Sequence, residues 1–137
     1  MAIDHGTRRM GIAISDESKT LAQPLEFIPA APFADFLERL KHLIHEREID
    51  QIVVGMPRNM DGSYGSAALK VQDFVAALKN AVTVPIATWD ERLTSVQANR
   101  FLIEGKVRRG ERKEKVDKTA AAILLQGYLD SLAQRAS

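Results

Sequence analysis

AIDHGTRRMGIAIS, residues 2–15, reads as two strands and the turn that joins them. From Arg9 to Ser15, Met10, Ile12 and Ile14 alternate with the small residues Gly11 and Ala13, the period of two expected of a strand with one bulky and one flat face. Ala2 to Asp4 is a short strand end pointing inward, and His5-Gly6-Thr7 makes the turn. Leu21 to Ile28 contains another short strand, so the first third of the chain reads as an antiparallel meander.

The reading extends outward from there. Pro32 suits the first turn of a helix, and Phe33, Phe36, Leu37, Leu40, Leu43 and Ile44 recur at three and four residues behind it. Gln51-Ile52-Val53-Val54-Gly55 is a β-branched run typical of a buried parallel strand. Met56 to Ser66 (MPRNMDGSYGS) is rich in turn formers and reads as a loop of functional length. A second helix is expected from about Ala67 to Lys79, and another strand from Val82 to Trp89, ending at Asp90-Glu91. Thr94 or Ser95 can cap a third helix carrying Val96, Ala98, Phe101, Leu102 and Ile103, which Gly105 ends. The last helix runs from about Lys115 to Ala133. The implied fold is α/β: a five-stranded mixed sheet flanked by helices, order βββαβαβα. That is the ribonuclease H-like arrangement, with the first three strands antiparallel and the later two parallel to the first. The 137 residues make one domain, 1–137, with a proper core.

Composition narrows the function classes. Apolar residues make up 45% and charged residues 27%, an ordinary globular balance. No apolar run approaches the ~20 residues of a membrane-spanning helix, and the N-terminal residues lack the apolar stretch of a signal peptide. There are no cysteines, which excludes disulfides, thiolate catalysis and zinc–thiolate sites and fits a reducing cytoplasm. Net charge is only +1. Its distribution is uneven: Lys106, Arg108, Arg109, Arg112, Lys113 and Lys115 against Glu111 and Glu114 give a local +4, so the rest of the chain carries −3. Such a strip is either a solvated connector, with Gly105 and Gly110 loosening it, or a phosphate-binding surface.

Three acids far apart in the chain fall where a strand or helix places a carboxylate among apolar neighbours. Asp4 closes the first strand and Glu91 follows the fifth. Asp117 stands in the first turn of the last helix and shares a stripe with Ala120, Ala121, Leu124 and Leu125, whose alanines permit close approach to the sheet. Sites in sheets with parallel strands form beyond the carboxyl ends of those strands, so all three can converge there. Carboxylates converging away from water repel one another unless a cation holds them. Each also has a plainer account. Asp4 can shape its turn, Glu91 can pair with Arg92 or the basic strip, and Asp117 suits a helix N-terminus. By charge alone Asp90 is as good a candidate as Glu91, the two facing opposite ways.

Four blocks in one order are more specific: DHGTRRMGIAIS at 4–15, VVGMPRNMDGSYG at 53–65, DERLTS at 90–95 and VDKTAAAILLQGYLD at 116–130. Together they resemble the YqgF family, whose members are described as Holliday-junction resolvases and pre-16S rRNA processing nucleases with a ribonuclease H-like fold related to RuvC. The resemblance spans nearly the whole chain. It implies that Asp4, Glu91 and Asp117 are the catalytic acids binding Mg2+ or Mn2+. It also implies that the loop around Asn59, Asp61 and Gly62, together with Asp90-Glu91-Arg92, borders the substrate. Two divalent ions there would activate water and stabilise the phosphoryl oxygens, Asp4 bridging both and the other two acids holding one each. Lys106, Arg108, Arg109, Arg112 and Lys113 would then hold backbone phosphates. Arg8 and Arg9 would lie beside the scissile phosphate, although Arg9 can equally brace the Asp4 turn. Tyr64 and Trp89 are the aromatics placed to stack on a base, Trp89 being the better core residue. The implied partner is nucleic acid, structured RNA before branched DNA, in pre-ribosomal particles and not at a membrane, with the chain acting as monomer or homodimer.

Two rivals belong to other classes. D-x-G-T followed by glycine is also the phosphate-loop pattern of the actin, hexokinase and heat-shock ATPases, but those clamp nucleotide between two such domains and this length provides one. A non-catalytic ribosome-maturation factor would keep the fold without turnover; the intact acids speak against it.

Overall fold

The structure, a computed structural model, describes residues 1–93 and the backbone of 109–136, with side chains of the latter part from 120 to 134. Its elements are β1 (Ala2–Asp4), β2 (Arg9–Ser15), β3 (Ala22–Pro29), α1 (Phe33–Glu46), β4 (Ile52–Met56), α2 (Ser66–Ala81), β5 (Ile86–Asp90) and α3 (Arg109–Ala136). Among the described residues the order is βββαβαβα, and the mixed sheet is the one expected. β1 pairs antiparallel with β2 and β2 with β3, whereas β4 runs parallel to both β1 and β5. In space the strands lie β3-β2-β1-β4-β5, so the first strand made is the central one. The helix expected from Thr94 or Ser95 to Ile103 lies outside the described residues.

The alternation within 9–15 becomes a division between two faces. Ile3, Met10, Ile12, Ile14, Val54 and Met56 point to one side and meet Phe36, Leu40 and Leu43 of α1 and Val71, Phe74 and Leu78 of α2. Phe36, Leu40 and Leu78 are wholly inaccessible, and burying side chains of this kind contributes about 1.5–3 kcal/mol each. The other side is small: Ala2, Ala13 and Val53 meet Ala121, Ala122, Leu124, Leu125 and Leu129 of α3. Small residues on both surfaces let that helix lie close. Gln126 fixes its position along β3, accepting from the Ala22 amide at 2.9 Å and donating to the Thr20 carbonyl at 2.9 Å.

Boundaries moved where one residue outweighs the pattern. Val82 to Trp89 reads as one strand, yet the ladder begins at Ile86. Pro85 has no amide to donate, while its carbonyl accepts from Ile52 at 2.9 Å and opens the pairing with β4. Pro32 stands immediately before α1 rather than inside it. The last helix starts at Arg109 instead of Lys115. Arg109, Gly110, Arg112, Lys113 and Lys115 are therefore helical. The arginines, lysines and glutamates of this strip are good helix formers, and one glycine in the first turn is tolerated.

Candidate active site

Asp4 ends the central strand with its side chain on the α3 face, the face of Ala2 two residues earlier. Both neighbours at that level are glycines. Gly11 of β2 is its register partner, and Gly55 of β4 is the next rung after the Ile3–Val54 pair. Glu91, one residue past β5, reaches back across Gly55: a Cβ built there would stand 2.6 Å from Glu91 Oε1 and 3.1 Å from its Cγ. Any side chain at 55 would push the carboxylate away. The two acids are close enough for Asp4 to raise the proton affinity of Glu91.

Electrostatics mark the pair as costly. Burial pushes the Asp4 carboxyl above its ordinary range, the neighbouring His5 only partly opposing it. Glu91 is pushed up too, by burial first and then by Asp4 and Asp90. Asp90 behaves in the opposite way. Its register partner is Met56, whose side chain belongs to the α1–α2 core, so it faces away from Glu91. There Arg92 grips it, with Nη2 2.7 Å from Oδ2 and Nε 3.1 Å from both oxygens, and Arg58 stands 3.7 Å off. The Arg92 hydrogen bonds hold its carboxyl below the ordinary range. Of the two adjacent acids, Glu91 is the one brought to Asp4.

Asp117 belongs to α3, its side chain outside the described residues. Backbone phase still locates the position. Ala121, one turn later, lies 3.6 Å from a Cβ built on Gly11, as does the Asp4 Cβ. Leu125 and Leu129 line a small cavity beside Met1 at the other end of β1. The helix thus runs antiparallel to β1 with its N-terminal part toward Asp4, and position 117 falls on the Ala121 stripe at the carboxyl edge. Among the described residues the acids meet as a pair, and no group of three or more metal-ligating side chains gathers.

The expected substrate contacts divide. Arg9 stacks on Phe27, its guanidinium carbon 4.1 Å from the ring centroid, while its backbone lies against Gly6 of the Asp4 turn. That turn is tight because of Gly6, where a Cβ would stand 2.2 Å from the Arg9 carbonyl oxygen. Arg8 is exposed. Asn59 is tied into its loop: its N–H donates to the Ser63 carbonyl and its carbonyl accepts from the Gly62 N–H, both at 2.9 Å, and its side-chain amide donates to the Ser63 hydroxyl at 3.1 Å. Arg92 is tied to Asp90 and donates to the Asn59 carbonyl at 3.4 Å. Lys106 and Arg108 lie outside the described residues, as do the side chains of Arg109, Arg112 and Lys113.

Three residues escaped the sequence reading. Gly55 is the floor for Glu91, and its only signal is a glycine closing a β-branched run. Arg58 donates twice to the Gly62 carbonyl and stacks on Tyr64 at 4.7 Å, latching the loop; nothing in MPRN names those partners. Phe27, 39% exposed, sits on the site face although it reads as an ordinary strand residue. Trp89 is half-buried, edge-on to Tyr128 at 5.8 Å, the core role expected of it.

A family model described as "RuvX: Holliday junction resolvase" matches residues 1–131. The chain belongs to the RuvX family. Among its curated relatives, proteins of Halothermothrix orenii and Thermoanaerobacter pseudethanolicus are each 48% identical to it. The first covers 95% of this chain and 93% of its own length, the second 96% and 95%, and both carry the name "Putative pre-16S rRNA nuclease". These names and the RuvX match agree with the resemblance read from the four blocks. The RuvC structure of Thermus thermophilus superposes with a TM-score of 0.51 over 94% of this chain and 93% of that one, at 15% identity. A likeness at that identity concerns the fold, which is ribonuclease H-like in both.

Proposed function

We propose that this RuvX-family chain is a metal-dependent nuclease that hydrolyses phosphodiester bonds and processes the 5′ end of pre-16S rRNA in pre-ribosomal particles of the cytoplasm. The observation that carries the reading is the carboxylate pair, Asp4 and Glu91, held together over two glycines at the carboxyl edge of the sheet. Two relatives 48% identical over nearly the full length are named for that substrate, which favours RNA. Branched DNA is the second reading, because the matching family model is described as a Holliday junction resolvase.

The residues fit a hard divalent cation. Both donors are carboxylate oxygens, half-buried, each with raised proton affinity, so a cation offsets their repulsion and desolvation together. Asp4, Glu91 and Asp117 would hold Mg2+ or Mn2+, Asp4 centrally. When bound, the metal lowers the pKa of a coordinated water and polarises the phosphoryl group. The glycines at 11 and 55 add no side chain of their own beside Asp4, and the room at 55 is what lets Glu91 reach it. Arg8, Arg9, Asn59 and Arg92 would contact the substrate around it. Lys106, Arg108, Arg109, Arg112 and Lys113 would contact flanking phosphates and supply salt-sensitive affinity with little sequence information.

The test incubates the purified chain with a pre-rRNA 5′-leader fragment and, separately, with a four-way DNA junction, each with Mg2+, Mn2+ or chelator. Asp4→Asn and Asp117→Asn are run in parallel. Metal-dependent cutting of the leader, lost in both variants, is expected. Cutting that survives chelator or both substitutions overturns the metal–acid reading; cutting of the junction alone transfers it to DNA.

A further inference from the structure

Asp4, Gly11 and Phe27 form one row across three adjacent strands: Asp4 is the register partner of Gly11, and Gly11 of Phe27. Strands lie about 4.8 Å apart, so the Phe27 backbone is about 10 Å from that of Asp4 along the row. The strand residue between them is a glycine, whose hypothetical Cβ would be 3.3 Å from the Phe27 ring edge and 3.6 Å from the Ala121 methyl of α3. The neighbours of Phe27 confirm its direction. Glu26 pairs with Arg39 of α1 at 2.7 Å and Ile28 enters the α1–α2 core, so Phe27 faces the carboxylate side. Among the described residues β3 is an edge strand, with no strand paired beyond Phe27. The ring is 39% exposed, and Arg9, on the same face of β2, lays its guanidinium over it at 4.1 Å.

We propose that Arg9 and Phe27 form a two-layer platform on which a nucleobase flanking the scissile phosphate stacks, with the guanidinium as outer layer and the ring as its support. The inference rests on the nuclease reading and assigns that site a way to hold an unpaired nucleotide. Three features suit the role. A guanidinium plane supported by an aromatic ring offers a flat, cationic stacking surface. Its edge remains available to a phosphate oxygen, joining base and backbone contacts in one residue. The separation from Asp4 corresponds to a neighbouring nucleotide rather than to the one being cut. Stacking of this kind is indifferent to base identity, so the platform selects single-stranded or unpaired substrate without reading sequence.

The experiment uses the full chain carrying Asp4→Asn, so that substrate persists, and measures the fluorescence of 2-aminopurine placed singly along a short single-stranded RNA and its DNA counterpart. Stacking quenches that fluorophore. Quenching at one position is expected, with the added Phe27→Ala substitution abolishing it and weakening binding about tenfold, the size of one lost base stack. Phe27→Tyr should keep both signals. Arg9→Lys, which retains charge but not the plane, should lose quenching while retaining most of the affinity. Thermal melting of each variant separates these effects from unfolding. Undiminished quenching in Phe27→Ala overturns the platform, as does binding with no quenching at any position. Asp4→Asn that still cuts would instead show as loss of the labelled strand and count against the metal–acid reading alone.

Discussion

The two faces of the sheet are built to opposite ends. On the α1–α2 face, isoleucine, valine and methionine interdigitate with phenylalanine and leucine, and the charged groups near it are exposed or paired. On the α3 face the strands present alanine and glycine, and two carboxylates sit together at raised proton affinity. One face contributes apolar burial; the other gives some of it up to leave room. Half-buried like charges are destabilising by themselves, so their presence where the packing is thinnest marks the α3 edge as the working edge.

That division can be broken from either side. Asp4→Asn should reduce cleavage by about a thousandfold, the loss expected when several kcal/mol of charge stabilisation disappears, yet raise the melting temperature by removing half of a repelling pair; a fall in both would erase the distinction between the faces. Leu40→Ala on the packed face should cost about 2–5 kcal/mol of stability while the folded fraction cuts at the normal rate, as denaturant titration beside an activity assay can decide. Gly55→Ala should slow cleavage by about a hundredfold, because displacing a catalytic group by about an ångström has that effect. Its stability should change little, since the colliding atoms belong to the flexible end of Glu91. Equal activity in Gly55→Ala and the parent would remove the glycine floor from the account.

The smallest effect is in pH. A carboxyl whose folded pKa is raised stabilises the protein below its unfolded pKa and loses that contribution as pH rises through the folded value. For Asp4 and Glu91 the loss begins above their ordinary values of 3.8 and 4.5. In chelator, the melting temperature of Asp4→Asn should therefore pull ahead of the parent as pH climbs from about 4 toward neutrality. Adding Mg2+ at neutral pH should close the gap by stabilising the parent alone. A gap that is flat with pH would mean the pair is not electrostatically strained.

Much of this was legible in the residues, for identifiable reasons. The alternation of Met10, Ile12 and Ile14 with Gly11 and Ala13 names both faces, because a one-residue slip would expose every one of them. The Ala121-Leu124-Leu125 stripe places position 117 by helical phase alone. What could not be read depends on partners distant in the chain. Asp90 and Glu91 are indistinguishable until Arg58 and Arg92 claim the first and Gly55 receives the second. Pro85 shortens a strand through a missing amide that hydrophobic pattern does not register. Phe27 gains its meaning from Gly11 and Arg9 across the ladder, a relation that only register supplies.

The central position of β1 has a consequence for timing. Residues 2–4 are made first, but their parallel neighbour is residues 52–56, the Glu91 carboxylate comes from beyond β5, and the covering helix follows last. A chain leaving the ribosome at about 5–20 residues per second therefore carries its first strand with one edge unpaired for several seconds before the carboxylates meet. The cutting edge cannot exist on a partial chain. Activity in this fold therefore waits on strands and a helix that lie more than a hundred residues apart in the chain.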